Sequence, residues 1–187
     1  MRKAGDEQDL DELVARLKRG DGGALEAVYR LFGGKVFGLA YHLLASREAA
    51  EDAVSEVFLR VRRSAAQFDG RVPFDRWLLK ITSHLCVDWL RRRRVESRLF
   101  EPPQDSVSAE APSALDKILL NERNDALRDA LRKLPDRYRA PLVLRYYGEL
   151  SYDEIAERLG IDRSAVGVLL FRARQELRRI MSCGADC

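Results

Sequence analysis

The last third of the chain carries a short polar helix, a tight turn and a longer helix rich in arginine. Ser151 begins the first helix, and Glu154 three residues later completes a capping box. Gly160 supplies the left-handed conformation of the turn, and the second helix runs from Arg163 to Arg179. Apolar residues fall where the two helices must pack together: Ile155, Leu159, Ile161, Val166 and Leu169. The pattern predicts a helix-turn-helix, whose second helix fits the major groove of DNA.

The distribution of charge along the chain says more about nucleic-acid binding than the net charge does. A net charge of +3 over 187 residues is too small to establish nucleic-acid binding. Arg91 to Arg94, however, form an unbroken basic run, whereas Val95 to Asp116 hold five acids against the single Arg98. Arginine also outnumbers lysine, which suits phosphate contacts. The amino-acid usage of a GC-rich genome explains that preference equally well.

Composition also bears on location and cysteine chemistry. No apolar run reaches the roughly 20 residues that span a bilayer, and the N-terminus lacks the apolar stretch of a signal peptide. We therefore expect a cytoplasmic protein without stable membrane insertion. Three cysteines do not indicate a disulfide framework. Cys183 and Cys187 are compatible with part of a metal site or a redox pair, and also with inert thiols at a chain end.

Helical periodicity before residue 96 predicts a first bundle of four helices. The first helix carries a leucine stripe and stops at Gly20–Gly23, and the second continues through Ser46. The third follows Ser46, and a turn-rich loop ending at Pro73 precedes a fourth helix from about Phe74 to Arg94. Two sets of residues are expected in the core: Val54, Val57, Phe58 and Val61 on the third helix, and Trp77, Leu78, Ile81, Leu85 and Leu90 on the fourth.

The chain changes character after the fourth helix. Pro102, Pro103 and Pro112 lie among serines and acids, which is typical of an extended tether. Helical periodicity returns at Leu115 and stops near Leu134-Pro135 before resuming. No useful β-type alternation is present. The prediction is an all-α protein with a first domain at 8–96, a flexible acidic linker at 97–114, a helix-turn-helix domain at 115–182 and a tail at 183–187.

Nothing in the sequence predicts catalysis. The only histidines, His42 and His84, are far apart, and there is no glycine-rich phosphate loop, nucleophile elbow or cluster of metal ligands. We expect neither an enzyme nor a cofactor or metal ion.

Several segments resemble the extracytoplasmic-function (ECF) sigma factors of the bacterial sigma-70 family. Ala50–Arg60, Phe68–Leu78 and Asp88–Arg94 are similar to the second conserved region of that family. Leu134–Arg145 and the helix-turn-helix are similar to its fourth region. The motifs occur in the family's order over nearly the whole chain. The resemblance implies a protein that binds core RNA polymerase, directs it to promoter DNA and helps to open the duplex.

The resemblance places polymerase docking on the third helix. Asp52, Ser55 and Glu56 would contact the polymerase, and helical geometry independently puts them on one face, opposite the buried side. The alternative is an ordinary solvated acidic face. Ser55 stands where relatives typically carry Gln.

The resemblance assigns the downstream promoter element to the first domain. In the family, the loop corresponding to Asp69–Pro73 captures a flipped base, so Arg71 would approach that base and its phosphates. Lys80, His84 and Arg91 share one side of the following helix. Relatives usually carry Asn at the position of His84. Arg92 belongs to the basic run, interpreted as a duplex-phosphate clamp rather than a merely solvated run.

The upstream promoter element would be read by the helix-turn-helix. The predicted contacts are Arg145, Arg163, Ser164, Val168, Phe171, Arg172 and Arg174. Phe171 is equally compatible with core packing. Gly167, Val168 and Leu169 replace the polar residues that relatives commonly carry, and Gly167 offers no side chain to a base. Binding is therefore expected to depend on arginine–phosphate attraction.

Three functional hypotheses follow. The first is an alternative sigma factor with core RNA polymerase, promoter DNA and an anti-sigma factor as partners. The second is a helix-turn-helix regulator that binds operator duplex without polymerase. The third is an adaptor that has lost promoter reading through the changes at Gly167 and Val168.

Overall fold

The structure, a computed structural model, describes residues 4–93 and 125–183 and is all-helical within them. Eight α-helices are formed there, and no strand. They are α1 (Ala4–Lys18), α2 (Gly22–Leu44), α3 (Arg47–Ser64), α4 (Phe74–Arg93), α5 (Asp125–Lys133), α6 (Asp136–Tyr146), α7 (Tyr152–Leu159) and α8 (Arg163–Cys183). The predicted all-α class is confirmed. The predicted linker at 97–114, Leu115 and residues 184–187 lie outside the described ranges.

Polar side chains fix where the helices begin. Asp21 caps α2 by accepting from the backbone N–H groups of Gly23 and Ala24, at 2.8 and 3.3 Å. The Ser46 hydroxyl accepts from Ala49 N–H at 3.2 Å and caps α3. Each bond satisfies a donor that has no partner inside its own helix. The predicted helix start at Ser46 is confirmed.

The core of the first domain forms around α2, which packs against α1, α3 and α4. The predicted core residues of α3 are buried, as are Leu78, Leu85 and Leu90 of α4. Trp77 and Ile81 are only partly buried and pack at the edge of the core. Trp77 lies against the rings of Phe68 and Phe74, at centroid distances of 5.2 and 5.5 Å. Both residues therefore contact the core, as predicted, although from its edge.

The second domain is assembled around α8, which packs against α5, α6 and α7. The predicted apolar contacts of the helix-turn-helix are present, because Ile155, Val166 and Leu169 are completely buried. Ser151 and Glu154 form the predicted capping box, with Ser151 N–H donating to the Glu154 carboxylate at 2.8 Å.

The two domains pack directly on one another, which the sequence analysis did not predict. Helices α5 and α6 lie against α2, while α6 and α7 lie against α4. The backbone of Gly160, at the turn between α7 and α8, therefore lies beside a residue of the first domain. A Cβ atom built on Gly160 would be 3.1 Å from Nη2 of Arg91.

Replacing Gly160 and Gly167 by alanine is expected to change stability in opposite directions. Gly160 has a φ of +64°, so Gly160→Ala strains the backbone and crowds Arg91, lowering the free energy of unfolding by about 1–2 kcal/mol. Gly167 lies inside α8 with open space beside it, so Gly167→Ala should raise that free energy by about 0.5–1 kcal/mol. Urea unfolding followed by circular dichroism measures both. Equal effects of the two substitutions would contradict this account of the turn.

Candidate nucleic-acid interface

The structure brings two of the predicted DNA-contacting residues of α4, His84 and Arg91, close to α7. Arg91 donates from Nη2 to the backbone carbonyl oxygen of Arg158 at 3.0 Å. Arg158 lies in the last turn of α7, where carbonyl groups have no partner within the helix. Lys80 and His84 lie on the same side of α4, eight and four residues before Asp88 respectively and a turn or more before Arg91. This side, which we call the α4 face, consists of Lys80, His84 and Arg91.

His84 occupies the centre of the α4 face. Burial is the main cause that lowers the pKa of His84 to about 4, and the positive charges of Arg158 and Lys80 lower it further. The negative charges of Asp88 and Glu157 raise this pKa, but by less. Nε2 of His84 is buried and has no hydrogen-bond partner within the described residues. The imidazole is therefore neutral near pH 7, and its Nε2 has lost water without gaining a replacement partner among the residues that the structure describes.

The loop before α4 projects into solvent. Gly70 adopts a φ of +76°, and the Asp69 carboxylate accepts from Arg71 N–H at 3.0 Å, which shapes the turn. The Arg71 side chain is 87% exposed, and its Nε lies 3.1 Å from the Asp69 carboxylate. An ion pair this exposed contributes little to stability. Arg71 is therefore accessible to a ligand.

Arg92 is separated from the α4 face. It lines a groove of about 350 Å³ together with Asp52, Ser46 and Trp89. Adjacent residues of a helix point about 100° apart, so Arg91 and Arg92 face different surroundings. Arg92 therefore lies beside Asp52, a predicted polymerase contact, and away from the other predicted DNA contacts of α4.

The predicted polymerase contacts share one surface of α3. Asp52 and Ser55 are exposed, and Glu56 is partly exposed. The Ser55 hydroxyl donates to the backbone carbonyl of Glu51 at 3.2 Å. The Glu56 carboxylate pairs with Arg60 at 2.9 Å. Asp52 and Glu56 are therefore the negative charges that the predicted polymerase contacts offer to a partner.

Helix α8 presents the predicted upstream contacts on its outer side. Arg163 and Ser164 are exposed, while Val168 and Phe171 are partly exposed. Arg163 pairs through Nε with the Asp153 carboxylate of α7 at 2.9 Å.

The remaining arginines of this domain differ in accessibility. Arg145 is exposed, donates to the Leu150 carbonyl at 3.0 Å and lies over the ring of Tyr152. Arg172 is partly exposed. Arg174, in contrast, is only 6% exposed, and its Nη1 lies 3.5 Å from the Tyr146 hydroxyl. In this structure Arg174 packs between α8 and α6, so the prediction that it contacts DNA disagrees with its burial.

Sequence reasoning missed three contacts across the domain boundary. Arg139 of α6 is 5% exposed and donates from Nε to the Leu43 carbonyl of α2 at 3.3 Å. The rings of His42 and Tyr147 are in contact at a centroid distance of 4.2 Å, with their planes tilted by 35°. Arg76 of α4 donates to the Glu149 carbonyl at 3.2 Å. The only sequence signal was the position of Arg139 directly before an apolar run, Ala140–Leu144.

Burial also governs the chemistry of Cys86. Burial raises the pKa of the Cys86 thiol to about 12, which keeps it protonated and unreactive.

Nowhere in residues 4–93 and 125–183 do three or more His, Cys, Asp or Glu form a cluster that could hold a metal ion. In those same ranges, no helix is both long and apolar enough to cross a membrane.

Two helical domains, one carrying a helix-turn-helix, define the architecture of a DNA-binding transcription protein. Residues 28–96 match the family model of sigma-70 region 2, and residues 124–177 match that of sigma-70 region 4. The chain therefore belongs to the sigma-70 family, in its ECF group.

Individual relatives agree with this assignment. The ECF RNA polymerase sigma factor SigW of Bacillus subtilis is 28% identical over 181 residues, covering 92% of this chain and 97% of that protein. RNA polymerase sigma factor YlaC of the same organism is 30% identical, covering 85% and 92%. The sigma factor RpoE of Bartonella quintana, solved in complex with the anti-sigma factor NepR, shares the fold. Its TM-score is 0.56 at 18% identity, with 84% of this chain and 96% of that chain covered.

Proposed function

We propose that this protein is an alternative sigma factor that binds core RNA polymerase and directs it to specific promoters under the control of an anti-sigma factor. It acts in the cytoplasm and performs no bond-breaking chemistry of its own. The observation that carries the proposal is the occurrence of both family regions in order on one chain. An operator-binding regulator needs only the second of these regions. The anti-sigma partner rests on the complex formed by the similar Bartonella quintana protein.

The two DNA-facing surfaces have different tasks in this proposal. The outer side of α8 contacts upstream duplex through Arg163, Arg172 and the apolar surface of Val168. The α4 face and Arg71 contact the downstream element when its strands separate. The acids of α3 dock on the polymerase.

Run-off transcription with purified core RNA polymerase tests the proposal. Addition of this protein should produce a discrete transcript from a template carrying its promoter, and core polymerase alone should not. The template is obtained by mapping transcription starts after overexpression of the protein. Tight duplex binding by the isolated protein, with no specific transcript from any mapped template, would instead favour an operator-binding regulator.

Removing both acids from the exposed side of α3 is expected to weaken polymerase binding. Asp52→Ala with Glu56→Ala takes away two negative charges but leaves the buried side of the helix intact, so the fold should be retained. The dissociation constant for core polymerase should rise about tenfold, measured by fluorescence anisotropy of the labelled protein.

The matched control is Asp11→Ala with Glu12→Ala, which removes the same charge from exposed positions on α1. It should leave core binding near the wild-type value. If both double variants lose the same affinity for core polymerase, the effect comes from net charge alone, and α3 has no specific docking role.

Restoring a basic side chain at Gly167 is expected to strengthen upstream DNA binding. The space beside Gly167 is open, so Gly167→Lys places a positive charge on the outer side of α8 without a clash. The logarithm of the binding constant should depend on the logarithm of salt concentration with a slope steeper by about 0.9, as one added phosphate contact requires. Fluorescence anisotropy with promoter duplex over a salt series measures this slope.

Gly34→Lys is the control for that substitution. Gly34 is also a helical glycine with open space beside it, but it lies in α2 of the first domain. It adds the same charge at a distance from α8. A slope that steepens equally in both variants would show that the outer side of α8 is not the phosphate-contacting surface.

A further inference from the structure

We propose that the first domain carries a further nucleic-acid contact, outside the residues predicted from the sequence: a basic end that holds the phosphate backbone of a separated DNA strand. The basic end consists of Lys18, Arg19, Arg62 and Arg63. The inference rests on the proposed function, because it takes the loop of Arg71 to contact the downstream element when its strands separate. It adds the surface that the backbone of that strand follows beside the loop.

Two segments that are far apart in sequence form the basic end. Helices α1 and α3 both pack against a short 3₁₀ helix, Ala65–Gln67, which directly follows α3. Lys18 is the last residue of α1, and Arg19 comes directly after it. Arg62 and Arg63 lie in the last turn of α3. The contacts of the 3₁₀ helix therefore bring the ends of both helices, with their four cations, to the same end of the domain.

The basic end adjoins the loop that carries Arg71. Nζ of Lys18 lies over the Phe68 ring, 5.4 Å from its centroid. Phe68 immediately precedes Asp69, where the loop begins, and its ring lies 5.2 Å from that of Trp77 on α4. Trp77 is only partly buried. A strand bound at the loop therefore has Lys18 as a neighbouring cation.

The cations of the basic end are distinguished by the lack of a carboxylate partner. All four side chains belong to exposed residues, and none forms an ion pair or a hydrogen bond within residues 4–93 and 125–183. Every other lysine and arginine of α1, α2 and α3 pairs with a carboxylate: Arg16, Arg30, Lys35, Arg47 and Arg60. The positive charge that this part of the domain leaves without a partner is therefore concentrated at one end, where it attracts an anion.

Charge separates the basic end from the proposed polymerase-docking surface. Arg63 lies seven residues after Glu56, on the same side of α3 and about 10 Å further along the helix axis. A partner surface that attracts Asp52 and Glu56 is positively charged, so Arg62 and Arg63 would repel it. A polyanion fits the basic end instead. The phosphate backbone of DNA is the polyanion that the proposed function supplies.

The position of the basic end favours a separated strand over intact duplex. The adjoining loop, Asp69–Pro73, is proposed to take up a base only after that base has left the duplex. Lysine and arginine contacts to phosphate carry no sequence information, whereas they fix the path of the strand. The basic end therefore contributes affinity and position, and the choice of promoter is left to the other DNA-contacting residues.

Neutralising either half of the basic end is expected to weaken binding of single-stranded DNA by the full chain. Lys18→Gln with Arg19→Gln, and separately Arg62→Gln with Arg63→Gln, each remove two positive charges from exposed positions. Each double variant should bind fluorescein-labelled oligothymidylate about tenfold more weakly at low salt. The plot of the logarithm of the binding constant against that of salt concentration should become shallower by about 1.4, because each phosphate contact with a single strand accounts for about 0.7. Fluorescence anisotropy over a salt series measures both quantities.

The matched control is Arg30→Gln with Arg47→Gln, which makes the same charge change at exposed, ion-paired positions of α2 and α3. Its salt dependence should stay near that of the wild type. If the control and the basic-end variants lose the same slope, the oligonucleotide responds to net charge alone and the proposal is overturned. Wild-type protein that shows no salt-dependent binding to oligothymidylate would overturn it as well.

Two further measurements on the basic-end variants separate DNA binding from the other roles that these cations could have. Cations in the last turn of a helix stabilise it through the helix dipole. A lower free energy of unfolding in urea with an unchanged salt slope would therefore reduce the basic end to helix stabilisation and overturn the proposal. Weaker binding to core polymerase with an unchanged slope would assign these residues to docking, with the same consequence.

The outcome for the basic end can be distinguished from the outcome for the proposed function. The oligothymidylate assay needs neither polymerase nor a promoter, whereas run-off transcription needs both. Loss of single-strand binding in both basic-end variants, together with failure of the wild type in run-off transcription, would support the nucleic-acid contact and remove the proposed function. Normal run-off transcription with no loss in these variants would keep the proposed function and remove the basic end from it.

Discussion

The carbonyl groups at helix ends are the constraint on which the arrangement of the two domains depends. Helix α7 ends in a turn in which the N–H of Gly160 donates to the carbonyls of Ala156 and Glu157. The Arg158 carbonyl is left for another donor, and Arg91 of the other domain supplies it. Arg139 does the same for Leu43 in the reverse direction. The fold of each domain thus leaves acceptors at positions that only the other domain satisfies.

These contacts position the domains through bonds of modest net strength. An arginine that leaves a carbonyl finds water or phosphate as an alternative partner, so the net contribution of each bond is small compared with its gross strength. The unpartnered Nε atom of Arg158 lies at the same interface as the Arg91 bond, so favourable and unfavourable contacts occur together.

Local sequence patterns predicted most of the fold, whereas contacts between distant residues were not predictable. The capping box at Ser151 and the buried Val54 and Val57 follow from spacings of three or four residues, which a single helix determines. The bond from Arg139 to Leu43 joins residues 96 positions apart, and no local pattern encodes it. The burial of Arg174 was predictable. It lies four residues after Leu170 and three before Leu177, both fully buried, so the 3.6-residue period places it on the inner side of α8.

Gly160 takes part both in a local turn and in a close approach between the two domains. Its positive φ completes the turn of the helix-turn-helix, and a residue with a Cβ atom would adopt this φ only with backbone strain. Its missing side chain also leaves room for Arg91, whose Nη2 lies only 3.1 Å from the position of a Cβ atom. Gly160 therefore satisfies both the turn between α7 and α8 and the close approach of Arg91 from the first domain. Because both requirements meet at the end of α7, a substitution at Gly160 disturbs the local turn and the contact between the domains together.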